Sequence, residues 1–124
     1  MSKIQLNIFD EPLEVCSKEP LTGFMRDGCC SFHNKDSGEH LVCSSVTEDF
    51  LKFSLSKGND LITPNPVLNF KGLTPGDKWC LCTSRWLESY QNNVAPKVHL
   101  KSTNKLVLEK ISLEILKKFA IEVN

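Results

Sequence analysis

Apolar and polar positions follow a clear period in only part of this chain. Leu41-Val42-Cys43-Ser44-Ser45-Val46 is short, mostly apolar and rich in strand formers, and it predicts a strand. The next segment predicts a helix. Thr47 suits the N-cap, and Glu48 and Asp49 suit the positive helix start. Val46 before the cap and Leu51 at the fourth helical position make a hydrophobic staple. Phe50, Phe53 and Ser54 extend the buried stripe, Lys57 falls in the last turn, and Gly58 supplies the left-handed stop. The uncharged run from Leu61 to Phe70 holds Pro64 and Pro66, which forbid a helix and weaken a strand, so it predicts a long ordered loop. Thr74-Pro75-Gly76-Asp77 is a turn. Trp79 to Cys82 then predicts a short buried strand, and Ser84 caps a helix to about Asn92 with Trp86 and Tyr90 on one face.

Lys97-Val98-His99-Leu100-Lys101 alternates as a half-buried strand does. Leu106 to Ile111 fits neither period alone. Ser112 caps a last helix, with Ile111 and Leu116 as a second staple and Phe119 packing inward. The N-terminal third is punctuated by Pro12, Pro20, Gly23 and Asp27-Gly28, which predicts loops. Helices and short strands mix without a βαβ rhythm. The expected class is α+β: one domain over residues 1–124, a short, partly antiparallel sheet, two or three helices and long ordered loops.

Composition narrows the function. The chain has 124 residues, 40% hydrophobic and 24% charged, which suits one folded core. Fifteen basic residues balance fifteen acidic ones, so no excess positive charge is available to a phosphate backbone and nucleic acid is not an expected partner. No apolar run is long enough to span a membrane. The start, Met1-Ser2-Lys3 and then Ile4 to Asp10, is too short and polar for the apolar region of a signal peptide. The expected location is a reducing cytoplasm, where clustered cysteines serve as thiols or metal ligands more often than as disulfides.

Six cysteines are the chief chemical feature: Cys16, Cys29, Cys30, Cys43, Cys80 and Cys82. No Cys-x-x-Cys occurs, so neither a thioredoxin-type motif nor a common zinc knuckle is present. In a strand, Cys80 and Cys82 would share a face with Cα atoms roughly 6.6 Å apart, a separation suited to two ligands of one metal or to two buried thiols. Three readings follow. The cysteines are small buried hydrophobes. Alternatively, Cys29, Cys30, Cys80 and Cys82 hold a metal, with zinc the candidate. Or Cys29 or Cys30 is a reactive thiol: Arg26 would favour its thiolate, Gly28 would expose it, Asp27 sits beside it, and His33 or His40 could act as base. Asp27 or Asp60 could instead serve a hydrolase or transferase as base, although Asp60 after Gly58-Asn59 also suits a turn that bonds itself. Arg85 follows Cys82 closely and reads as a surface or capping residue. His99 lies on the polar side of its strand, and Trp79 and Trp86 read as core.

Three segments resemble one family closely: Pro20-Leu21-Thr22-Gly23-Phe24-Met25-Arg26-Asp27-Gly28-Cys29-Cys30, Gly58-Asn59-Asp60-Leu61 with Thr63-Pro64, and Gly72 through Trp79-Cys80-Leu81-Cys82. It is the mainly bacterial domain-of-unknown-function family 2237, and the likeness runs over roughly residues 7–120. The resemblance implies a small stand-alone domain and supplies no reaction. It puts weight on the motif cysteines and on the Arg-Asp-Gly and Gly-Asn-Asp segments. The chain departs from it at Ser102-Thr103-Asn104, where relatives often carry Ala-Thr-His. The function expected is thus a cysteine-rich site, metal-binding or thiol-reactive, its status as an enzyme open. The alternative is a non-enzymatic interaction module whose cysteines are structural and whose Pro64/Pro66 loop carries the contact surface.

Overall fold

The structure, a computed structural model, describes residues 4–121. Met1 to Lys3, part of the leader reading, lie outside the described residues. Three strands form an antiparallel sheet: β1 (His40–Ser45) in the centre, with β2 (Lys78–Cys82) and β3 (Lys97–Val98) on its two sides. Three helices accompany it, α1 (Glu48–Ser56), α2 (Thr83–Gln91) and α3 (Leu113–Lys118). The class is α+β, as expected.

The local signals around α1 act as the sequence implies. Thr47 Oγ1 accepts from the Phe50 amide at 3.0 Å, and Val46 and Leu51 are both buried. Phe50, Leu51 and Ser54 form the buried face, while Phe53 is only half-buried. Around α3, Ser112 accepts from the Ile115 amide and both staple residues, Ile111 and Leu116, are buried.

Two element boundaries differ, and one open segment is resolved. α2 starts at Thr83, not after Ser84; β2 runs straight into it, with Cys82 in the N-cap position. The strand expected over residues 97–101 stops at Val98, because Leu100–Ser102 turns into a 3₁₀ helix. Thr103 takes the Cys43 amide onto its side chain there, in place of a longer ladder. The ambiguous segment is a 3₁₀ helix over Lys105–Glu109, started by Asn104 accepting from the Leu106 amide.

Side chains alternate across β1 and β2, so the sheet has two dissimilar faces. Val42, Trp79 and Leu81 belong to the main core with Phe50, Trp86, Val98 and Leu116. Trp86 and Tyr90 stack at 5.8 Å, and Phe119 meets Trp86 edge-on at 5.4 Å. The residues between, Cys43 and Cys80, face each other across the ladder and join Cys16 and Cys30 in a second buried cluster. The N-terminal loops cover that cluster. Thr22, wholly buried, anchors them by accepting from the Cys80 amide at 2.9 Å. Asn104 donates its side-chain amide to the Cys30 carbonyl at 3.1 Å and to Gln5 Oε1 at 2.8 Å.

Candidate functional site

The cysteines divide into a paired set and two free thiols. Cys16 is bonded to Cys43 and Cys30 to Cys80. Reduced thiols were expected here, and the cross-strand placement of Cys43 and Cys80 instead presents their sulfurs to partners in the covering loops. The sulfurs of Cys16, Cys30 and Cys80 lie within 4.8 Å of one another. Of the four ligands expected for zinc, the structure brings Cys30 and Cys80 together as a bond and leaves Cys29 and Cys82 as free thiols. Zinc takes thiolate sulfur, so the paired cluster offers it no ligand while both bonds are intact.

Cys29 sits in a hollow with Gln5, Leu13 and Ser31. Asp27 serves its own turn there: Oδ1 accepts from the Cys29 amide at 2.9 Å and Oδ2 from the Ser31 hydroxyl at 3.3 Å. Burial, and then the Asp27 charge, push the Cys29 thiol up, with Lys18 opposing. The Arg26 guanidinium, expected beside the thiol, lies over the Trp79 ring at 5.1 Å. The adjacent Cys30 has no free thiol.

Cys82 has different company. The β1–β2 register slips by one residue at the end of the ladder: Val42 pairs with Leu81, but His40 pairs with Cys82, and Leu41 is the additional residue. The slip brings His40 Nε2 to 3.2 Å from Cys82 Sγ. Asp36, four residues before, holds the ring from behind. Its Oδ1 lies 2.8 Å from His40 Nδ1, and its Oδ2 accepts from the His40 amide at 2.9 Å. The Asp36 side chain is 1% exposed and that of His40 34%. A buried carboxylate on Nδ1 fixes the proton there and turns Nε2 toward the sulfur. Gly38 permits the approach, because a Cβ there would stand 3.1 Å from His40 Cε1 and 3.2 Å from Cys82 Sγ. Phe24 covers the His40 ring at 6.3 Å and His33 at 5.6 Å.

The His40 pKa is raised to about 9, first by the hydrogen bond to Cys82, against burial, and then by the Cys82 charge and by Asp36. Cys82 makes no capping bond of its own, so its sulfur is presented at the positive end of α2.

Sequence reasoning named His40 as a base and Cys82 as a ligand and did not join them, and it missed Asp36. A signal was available in the Asp36-x-x-x-His40 spacing before a strand, but nothing local pairs His40 with a residue 42 positions away. The remaining polar candidates have structural partners. Asp60 accepts from the Ile62 and Thr63 amides, which hold its carboxyl below the ordinary range, the Thr63 hydrogen bonds most of all. Arg85 Nη1 donates to the Lys57 carbonyl at 3.2 Å and closes the end of α1. His33 Nδ1 accepts from the Lys35 amide, and His99, expected to be solvated, pairs with the Ser45 hydroxyl at 2.7 Å.

The profile of a family described as "uncharacterized protein conserved in bacteria" matches residues 6–120. The chain belongs to domain-of-unknown-function family 2237. Nearly all the described structure therefore lies within the family region, including the Asp36–His40–Cys82 group and all four paired cysteines. No curated protein matches the chain. Among the described residues, no helix is long and apolar enough to cross a membrane.

Proposed function

We propose that this family 2237 protein is a thiol-dependent enzyme of the acyl-transfer class, with Cys82 as nucleophile, His40 as its proton partner and Asp36 as the residue that orients the ring. The single observation that supports it is the contiguous relay from Asp36 Oδ1 through His40 to Cys82 Sγ, with heavy-atom separations of 2.8 and 3.2 Å. Nucleophile, base and orienting acid within hydrogen-bond reach are the arrangement that activates a thiol for covalent catalysis. In the reaction the sulfur attacks an acyl carbon and His40 gives the leaving group a proton. Water, deprotonated by His40, then releases the acid from the thioester. A cytoplasmic location belongs to this reading and requires the two disulfides to be reducible pairs rather than permanent staples.

A second reading is thiol–disulfide exchange. It is favoured by the Cys30–Cys80 bond, since Cys80 stands two residues before Cys82 on the same strand. Metal binding by the reduced cysteines and a purely structural interaction module remain the alternatives expected from sequence.

The test is a burst assay with p-nitrophenyl acetate, followed by peptide mass spectrometry. One nitrophenolate per chain and an acetyl group on Cys82 are expected, both absent in Cys82→Ser and strongly slowed in His40→Asn. Acetylation no faster at Cys82 than at Cys29 would remove the nucleophile assignment. Rapid alkylation of Cys82 without any acetyl-enzyme would transfer the case to thiol exchange.

A further inference from the structure

A cleft away from Cys82 is lined by Trp79 of β2 and by the loops around Lys18 and Phe70. The turn that covers His40 continues from Phe24 to Arg26, and Arg26 forms one wall of this open cleft of about 420 Å³. That volume falls in the range that holds a small organic ligand. Two of its lining side chains are aromatic: the half-buried Phe70 meets the Trp79 ring at 5.3 Å, and Trp79 itself is 7% exposed. The rim is cationic. Lys18, Arg26 and Lys71 line it, against Glu19 alone, in a chain whose formal charge is balanced overall. Lys71 pairs with Glu19 at 3.2 Å, which leaves Lys18 and Arg26 as the net positive side.

Two walls of the cleft are held in unusual backbone conformations. Arg26 has φ 55° and Asn69 φ 54°, both left-handed. For arginine this is costly and persists only when the surroundings enforce it. The enforcement is visible. The Arg26 amide donates to the Gly23 carbonyl at 3.0 Å, and Nη1 donates to the same oxygen at 2.7 Å. Gly23 itself has no room for a Cβ, which would strike the Cys29 carbonyl. One of the five guanidinium donors is thus used, and the group is fixed over the Trp79 face with the rest of its fork unassigned.

From this geometry we infer that the cleft is a binding site for a small aromatic carboxylate. Its ring would lie against Phe70 at the edge of the Trp79–Arg26 stack, and its carboxylate would take paired hydrogen bonds from Arg26, with Lys18 adding charge. A planar fork already stacked on an aromatic face recognises a planar carboxylate better than a flexible ammonium does. The apolar Leu21 and Leu68 at the mouth, 45% and 64% exposed, extend the surface that a ring substituent would cover. The inference does not depend on Cys82 being a nucleophile.

The experiment is titration of the whole protein with sodium benzoate, followed by calorimetry and by the Trp79 indole resonance. Benzamide and cyclohexanecarboxylate serve as the charge-free and non-aromatic probes. Saturable benzoate binding that shifts the Trp79 indole signal is expected, with each of the other probes at least tenfold weaker. Arg26→Lys should lose at least tenfold in affinity, and Cys82→Ser nothing. Should Arg26→Lys unfold, Trp79→Phe and Lys18→Gln carry the same test through loss of ring contact and of charge. No saturable binding of benzoate up to about 10 mM, well beyond a millimolar dissociation constant, overturns the inference. So does equal binding of all three probes, or binding that leaves Trp79 unperturbed.

Discussion

His40 and Cys82 stand opposite each other where the β1–β2 register slips, with ring nitrogen and sulfur 3.2 Å apart. Neither residue alone carries chemistry. Together with Asp36 behind the ring they form a hydrogen-bonded chain that ends on a half-buried thiol, and the consequences can be measured.

The relay makes stability depend on pH with a definite sign. His40 is raised from 6.5 to about 9 in the folded chain. A group whose pKa is raised by folding stabilises fully below its unfolded value, and that contribution is lost as pH rises through the folded value. The melting temperature of the native chain should therefore exceed that of His40→Gln by more near pH 6 than near pH 10. Proton NMR should find the imidazole still charged at pH 8, and Cys82→Ser should return it toward 6.5. An imidazole that titrates near 6.5 in the native chain would show that the sulfur contact does not form in solution.

Asp36→Asn keeps the shape and removes one acceptor and the charge. The carboxylate is buried and takes both the ring and the amide of His40, so a loss of about 1–3 kcal/mol is expected from chemical unfolding. Acetylation of Cys82 should also slow at least tenfold. Slowing without destabilisation would mean that Asp36 acts only through orientation.

The disulfides should dominate stability. In the chain-entropy account, closing loops of 27 and 50 residues is worth about 3.5 and about 4 kcal/mol. Cys16→Ser and Cys30→Ser should each lower the denaturant midpoint by a similar, large step, and the mass of the unreduced native chain should show four hydrogens fewer than the all-thiol formula. Zinc uptake should be absent in that form. Zinc uptake by the unreduced chain would place the metal on other residues.

Ser44 gives a prediction of the opposite sign. Its hydroxyl is wholly buried and, among the described residues, is the buried side-chain polar atom without a hydrogen-bond partner. Ser44→Ala removes that unpaired group at little cost in volume, so the melting temperature should hold or rise. A clear drop would reveal a bond the hydroxyl makes in solution.

Much of the fold was legible because its signals are local. The Thr47 and Ser112 caps, the two staples and the Gly58 stop act within four or five residues, where backbone conformation and side-chain reach suffice to specify a turn. The failures were local signals overruled. Ser84 is a good cap, but β2 feeds the helix two residues earlier, and the alternation over residues 97–101 yields to hydrogen bonds made by Thr103.

The sequence by itself determined which residues could carry chemistry: six cysteines, three imidazoles and the Arg-Asp-Gly-Cys-Cys and Trp-Cys-Leu-Cys strings. Only the tertiary structure decided their company. Cys43 and Cys80 meet because β1 and β2 pair in one register, and His40 reaches Cys82 because that register slips by one residue at its end. Strand pairing joins positions some forty residues apart through backbone hydrogen bonds that are the same for every side chain. The partner of each cysteine is therefore fixed by register, which residue spacing along the chain does not encode.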